Sequence, residues 1–223
     1  MEITSKPFAI KKNEDANMKV GFIGAGHIGG NLARLAAKAG HEVLVSNSRN
    51  PKTLFTLLGQ IGDKAKGGSP KDAALFGDIV VIAIPFFSYL EMPVEELKGK
   101  VVIDANNYFP ARDGNYPEID SGRVTSAELL ARHLYGAKVV RTLSSVTSGD
   151  LLTDARPIGS PERRAIPLAG DDAAAKSIVA RFVSELGFDS LDVGGLSQGR
   201  KFEVDSRVFG AKLNLAALKA ALL

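Results

Sequence analysis

The chain has no cysteine. Disulfides, thiol nucleophiles and thiolate metal sites are therefore excluded. Histidine is nearly as scarce. His27, His41 and His133 lie far apart, none in a zinc-type spacing such as His-Glu-x-x-His, so no metal site is expected. No apolar run is long enough to cross a bilayer, and no membrane partner is expected. Residues 1–17 are polar, carry Glu2, Glu14 and Asp15, and lack the apolar centre of a signal peptide. They read as an N-terminal extension, floppy or strand-like, of a cytoplasmic protein. Charge of one sign is nowhere concentrated. A net charge of +3 with scattered basic residues argues against a nucleic-acid partner and suits an anionic ligand.

What is present is an ordinary globular composition: 45% hydrophobic and 24% charged residues in 223, enough for a substantial core. The most informative stretch is Val20-Gly21-Phe22-Ile23-Gly24-Ala25-Gly26-His27-Ile28-Gly29-Gly30. It reads as a short apolar strand, a glycine-rich turn, and a helix over residues 31–39. Gly24, Gly26 and Gly29 match the G-x-G-x-x-G spacing of a dinucleotide-binding turn. The first serves the tight turn, the second the approach of a pyrophosphate, the third close helix packing. Amides at the positive end of the following helix would hold the diphosphate. A bare strand–helix turn has the same local pattern, so the motif gains weight only from its neighbours.

Those neighbours alternate between strand and helix. Gly40 is placed as a helix stop, residues 41–46 as a second strand, and residues 52–58 as helical. Ser69-Pro70 opens a helix. Residues 78–85 and 100–104 are near-continuous apolar runs, as in parallel strands buried on both faces. Residues 105–120 read as a long loop. Thr125-Ser126-Ala127-Glu128 is a capping box, and residues 137–143 form another strand. Further on come a short helix over 148–155, a strand over 164–169, and a helix over 171–187. Asp171 is its expected cap, with Ile178, Val179, Phe182, Val183 and Leu186 on one face. A strand over 188–193 and a mostly helical remainder complete the chain. The pattern predicts an α/β fold: a doubly wound, parallel Rossmann-type sheet over residues 18–148, with a small C-terminal α/β extension over 149–223 packed on it. The apolar end, residues 213–223, would leave an exposed patch on a monomer, which points to a homodimer.

The end of the second strand bears on cofactor choice. An NAD site places a carboxylate there for the ribose hydroxyls. This chain has Ser46-Asn47-Ser48-Arg49, whose hydroxyl, amide and guanidinium groups suit a 2′-phosphate. The same residues are also what a solvated turn would use. With the glycine turn at the right distance they favour NADP(H). Ala83, Ile84 and Pro85 end one later strand and Asn106-Asn107 the next. Ligands of open α/β sheets sit at such carboxyl ends, so these residues are expected to line the nicotinamide half. His27, inside the turn, either touches the pyrophosphate or the substrate, or faces solvent. No Tyr-x-x-x-Lys pair exists at Tyr89, Tyr108, Tyr116 or Tyr135, and no Ser/His/Asp set or paired acids stand out. No catalytic residue is assigned. Chemistry of this kind would be hydride transfer governed by positioning.

Taken in order, Gly-Ala-Gly-His-Ile-Gly, Asn-Ser-Arg, Ala-Ile-Pro, Asp-Ala-Asn-Asn-Tyr-Phe-Pro, Ala-Gly-Asp-Asp and Gly-Gly-Leu-Ser-Gln-Gly-Arg resemble the NADPH-dependent deazaflavin-coenzyme reductase family, over residues 18 to about 210. The resemblance implies hydride exchange between NADP(H) and a small redox acceptor of flavin or deazaflavin type at the carboxyl edge of the sheet. It assigns Ala25, Gly26, His27 and Ile28 to the pyrophosphate, Asn47, Ser48 and Arg49 to the 2′-phosphate, and Ile84 and Asn106 to the nicotinamide side. Relatives commonly carry Asn or His and then Thr-Ile where this chain has Ser144-Ser145-Val146-Thr147-Ser148. That stretch faces the acceptor in the family, so Ser144, Ser145 and Ser148 are substrate-side candidates and the acceptor's identity is left open. A non-catalytic NADP(H)-binding sensor or regulatory protein is the competing expectation.

Overall fold

The computed structural model describes residues 17–222; the expected extension lies, except for Asn17, outside them. In chain order the elements are β1 (Lys19–Ile23), α1 (His27–Ala39), β2 (Glu42–Ser46), α2 (Phe55–Ile61), β3 (Ala65–Gly68), α3 (Pro70–Phe76), β4 (Ile79–Ile82), α4 (Val94–Leu97) and β5 (Val101–Asp104). Then come α5 (Pro110–Asp113), α6 (Pro117–Asp120), α7 (Ser126–His133), β6 (Lys138–Thr142), α8 (Ser148–Thr153), β7 (Ala165–Gly170), α9 (Ala173–Glu185), β8 (Asp189–Asp192) and α10 (Leu215–Leu222). Short 3₁₀ turns span Pro51–Leu54, Phe86–Glu91 and Leu196–Phe202.

One eight-stranded sheet runs in the order β3-β2-β1-β4-β5-β6-β7-β8. The first six strands are mutually parallel. β7 returns antiparallel to β6, and β8 runs parallel to β7. Strand order reverses between β1 and β4, so a crevice opens there at the carboxyl ends. This is the α/β Rossmann-type sheet expected, and the C-terminal region continues it.

Burial follows from strand alternation. Val20, Phe22, Val43, Val45, Ile79, Val81 and Ile103 face α1 and α9, in one core with Leu32, Ala36, Val179, Phe182 and Phe188. Ile23, Leu44, Val80, Ile82 and Val102 face the other way, onto Ala73 and Ala74 of α3 and Ala127 and Leu130 of α7. β4 and β5 are buried throughout, which explains their unbroken apolar sequence.

Several local expectations are corrected. α1 begins at His27, four residues before the expected start, because packing against the turn outweighs the low helix propensity of Gly29 and Gly30. β3 was not anticipated: Ala-Lys-Gly-Gly has no alternation, and the strand exists through its pairing with β2. The loop over 105–120 contains two single helical turns, α5 and α6, each opened by a proline. The cap of α9 is Asp172, which accepts from Ala175 N at 2.8 Å. Asp171 accepts from Leu196 N instead. On α9, Val179, Phe182 and Val183 are buried, as is Leu186 at its C-cap, while Ile178 is exposed. His41, expected at the strand start, lies just before β2 and is buried, accepting from Met18 N at Nδ1 and lying 3.2 Å from Glu185. His133 ends α7 half-buried, edge-on to Tyr89.

The chain between Phe202 and α10 is irregular rather than helical. In α10, Leu218 is buried and Leu222 packs beside it on Ala165, Ala169 and Phe202. Leu215, Ala216, Ala217, Ala220 and Ala221 stay exposed. Among the described residues no helix is long and apolar enough to cross a membrane, and no cluster of three or more His, Asp or Glu residues could hold a metal ion.

Candidate functional site

Strand register aligns the site. Ser46, Ile23, Ile82, Asp104 and Arg141 form one row across β2, β1, β4, β5 and β6. The cofactor-side and acceptor-side candidates each follow a member of this row within seven positions. The structure therefore brings the glycine turn, residues 47–49, 83–85 and 106, and residues 144–148 to one edge.

Gly24 leaves β1 with φ +113°, donating to Ser46 O at 3.0 Å. A side chain there would be strained by its φ and would place Cβ 2.1 Å from the Ala83 carbonyl oxygen. Gly29 is held by proximity instead, since its Cβ would fall 2.0 Å from Gly24 O. Gly26 differs: a Cβ would meet nothing within 4 Å. Gly26 is the N-cap of α1, no side chain caps that helix, and its first turn carries no acid. The open position over Gly26 and the uncapped amides fit a pyrophosphate, as the positive end of a helix would. Ala25 and Ile28 are half-buried beside it, and His27 is exposed.

At the end of β2, Ser46 is buried and its hydroxyl donates to Phe22 O at 3.0 Å. Asn47 is used by the turn itself: Oδ1 accepts from Arg49 N at 3.0 Å and Nδ2 donates to Thr53 Oγ1 at 2.9 Å. It shapes the loop that presents the exposed Ser48 and Arg49. At the end of β4, Ala83 and Ile84 are half-buried and Pro85 is exposed. Ile84 N donates to Asn106 Oδ1 at 2.8 Å, which joins the ends of β4 and β5.

The sequence did not single out what lies beneath. Arg141 and Asp104 form a wholly buried ion pair, Nη1 to Oδ2 2.8 Å. Arg141 Nη1 also donates to Asn106 O at 2.9 Å, and Nη2 to Asn107 Oδ1 at 3.3 Å. Asn107 Nδ2 in turn donates to Ser144 O at 2.8 Å. The signal available was an arginine inside the strand-like stretch Ala137 to Leu143, directly after Val139-Val140. A recess of about 190 Å³ opens beside this network, lined by Asn107, Tyr108, Arg141 and Glu203 among others.

The expected substrate side is less open than the sequence implied. Directly after β6 comes Leu143, buried with φ +65°, a strained conformation for a non-glycine residue and one that clusters at functional sites. Ser144 and Ser145 are then buried, and Ser144 Oγ has no hydrogen-bond partner. Ser148 is half-buried at the start of α8, its carbonyl accepting from Asn31 Nδ2 at 2.7 Å, so α1 and α8 are tied. Beneath this loop Ser145 O accepts from Gly210 N, and Arg164 pairs with Asp150 and Asp154, which Lys212 also bridges. A second cavity, about 360 Å³, borders Arg164 and Lys212, whose charges are already matched by these acids.

On the remaining side Phe86 stacks on Tyr89 (centroids 4.7 Å) and meets Tyr108 and Tyr116 edge-on. Burial pushes the Tyr89 and Tyr108 phenols above their ordinary value, helped at Tyr108 by the hydrogen bond to Asp120, so both stay protonated near neutrality. Asp113 fixes the same loop by accepting from Phe109 N at 2.8 Å. These groups build a wall rather than an acid–base set.

Comparison with known proteins bears on this geometry. Residues 19–108 match the family described as NADP oxidoreductase coenzyme F420-dependent. A hypothetical protein of Sinorhizobium meliloti superposes with TM-score 0.76 and 28% identity, covering 90% of this chain and 97% of that one. A provisionally named F420-dependent NADP-reductase from Arthrobacter sp. FB24 gives TM-score 0.69 and 28% identity, covering 82% and 87%. The 3-hydroxyisobutyrate dehydrogenase of Mycobacterium tuberculosis, at 13% identity and TM-score 0.58, covers 83% of this chain and 58% of that one, a likeness of fold. The chain thus resembles the coenzyme F420-dependent NADP oxidoreductases, with the family match lying over β1 to the end of β5, the part that carries the glycine turn.

Proposed function

We propose that this protein is an NADP(H)-dependent oxidoreductase that moves a hydride between the nicotinamide and a small acceptor of flavin or deazaflavin type. The observation that carries the reading is the edge of β1 and β2. An open Gly26 precedes uncapped helix amides, and β2 ends without a carboxylate in exposed Ser48 and Arg49. The turn around Gly24, Ala25, Gly26, His27 and Ile28 would hold the pyrophosphate. Ser48 and Arg49, on the loop shaped by Asn47, would hold the 2′-phosphate. Ala83, Ile84, Pro85 and Asn106 would border the nicotinamide, with residues 144–148 on the acceptor side. NADPH, when bound, supplies the hydride with its electron pair. The protein's part is to orient the two rings and keep water out, which agrees with the lack of an acid–base set. The exposed apolar side of α10 supports a homodimer through that helix, testable by light scattering with Leu215→Glu.

A non-catalytic NADP(H)-binding sensor draws on the burial of Ser144 and Ser145, which leaves few polar groups for an acceptor. NADPH oxidation measured with flavins, a deazaflavin and quinones separates the two. Acceleration with at least one acceptor is expected. Tight NADPH binding with no turnover on any of them would favour the sensor.

A further inference from the structure

The buried Arg141–Asp104 pair needs a reason beyond stability. Two desolvated charges seldom stabilise a fold more than a well-packed apolar pair of the same size. Besides the bond from Arg141 Nη2 to Asn107 Oδ1, their hydrogen bonds converge on Asn106. Asp104 Oδ1 accepts from Asn106 N at 3.0 Å, while Arg141 Nη1 donates to Asn106 O at 2.9 Å, so both backbone groups of Asn106 are held by the pair. Ile84 N occupies Asn106 Oδ1, which fixes the way the side-chain amide points. Its Nδ2 is left buried, with no partner in the protein. Arg141 is itself wedged. A Cβ on Gly199 would lie 3.0 Å from its Cδ, and the guanidinium sits 6.0 Å from the centre of the Phe202 ring.

A buried amide donor without an acceptor is costly and therefore rare. Asn106 lies at the carboxyl end of β5, where the dinucleotide's nicotinamide half is expected, and a ligand oxygen there would satisfy it. We propose that Arg141 is a positioning residue which, through its ion pair with Asp104, aims Asn106 Nδ2 at an acceptor oxygen of the nicotinamide mononucleotide half of the cofactor. This inference rests on the dinucleotide reading above.

The test compares two ligands by calorimetry: NADPH, and adenosine 2′,5′-bisphosphate, which lacks the nicotinamide half. Asn106→Asp keeps an oxygen for Ile84 N and exchanges the free donor for a carboxylate oxygen, whose added charge the bisphosphate arm controls for. Arg141→Met removes the clamp. Arg141→Lys keeps a charge for Asp104 but cannot span both Asn106 O and Asn107 Oδ1. Asn106→Asp and Arg141→Met are expected to weaken NADPH about tenfold or more, as for a lost hydrogen bond to ligand, and to leave the bisphosphate within about twofold. Arg141→Lys is expected to fall between wild type and Arg141→Met. Should Arg141→Met fail to fold, Asn106→Asp and Arg141→Lys carry the test. Equal losses for both ligands, or wild-type binding of NADPH by Asn106→Asp and Arg141→Lys, would overturn the inference. Failure of the wild type to bind either ligand would instead overturn the dinucleotide reading.

Discussion

At the scale of single residues, the glycine turn separates structural from functional demands. Gly24→Ala combines a φ of +113° with a Cβ 2.1 Å from a backbone oxygen, and should cost about 4 kcal/mol or more of stability. Gly26→Ala meets open space at a helix N-cap, so it should cost about 1 kcal/mol or less. Its methyl would occupy the pyrophosphate's approach, and NADPH affinity should fall roughly tenfold or more. Thermal melts and titrations of the two variants check this, and the ranking reversed would count against the site. The glycines, Asn47-Ser48-Arg49 and Asn106 were legible in the sequence because their spacing alone places them at strand ends. Asp104–Arg141 was not, since two residues 37 apart meet only through the β5–β6 register.

Individual elements are joined at the loop after β6 by charge. Asp150 is held below its ordinary carboxylate value by its hydrogen bond to Lys212, helped by Thr147 and Arg164. Burial pushes Asp154 up, but Lys212 and Arg164 outweigh it and its value too is lowered; Lys212 is correspondingly raised. A carboxylate with a depressed folded-state value adds stability above its unfolded value of 3.8 and loses it as pH falls through the folded value. Lys212→Met should therefore be less stable than wild type above about pH 5, with the gap closing below about pH 3. A pH series of denaturant melts reads this, and a gap independent of pH would contradict the ion-pair account. The sequence showed α8, β7 and most other elements through apolar periodicity and caps. It did not show β3, whose Ala-Lys-Gly-Gly is a strand only because β2 pairs with it. Nor did it show that α1 starts inside the glycine motif, because packing on Gly24 decides that start.

For the whole molecule, one apolar cluster runs from Val20 and Phe22 in β1 to Ile166 in β7 and Phe188 before β8. β7 extends the same sheet, so the two halves share a core. Unfolding should be a single cooperative transition by fluorescence and circular dichroism alike, and two resolved transitions would argue for independent halves. The sheet places β1 and β4 next to each other in its interior and gathers the candidate residues on one edge. An NADP(H) site spanning the glycine turn and Arg49 is open to one direct measurement. NADPH and NADH are titrated by calorimetry into wild type and Arg49→Ala. Wild type is expected to prefer NADPH by tenfold or more, and Arg49→Ala to lose about 1–3 kcal/mol of NADPH affinity, the worth of a charged hydrogen bond, with NADH unchanged. Equal affinity of the wild type for the two cofactors would contradict it.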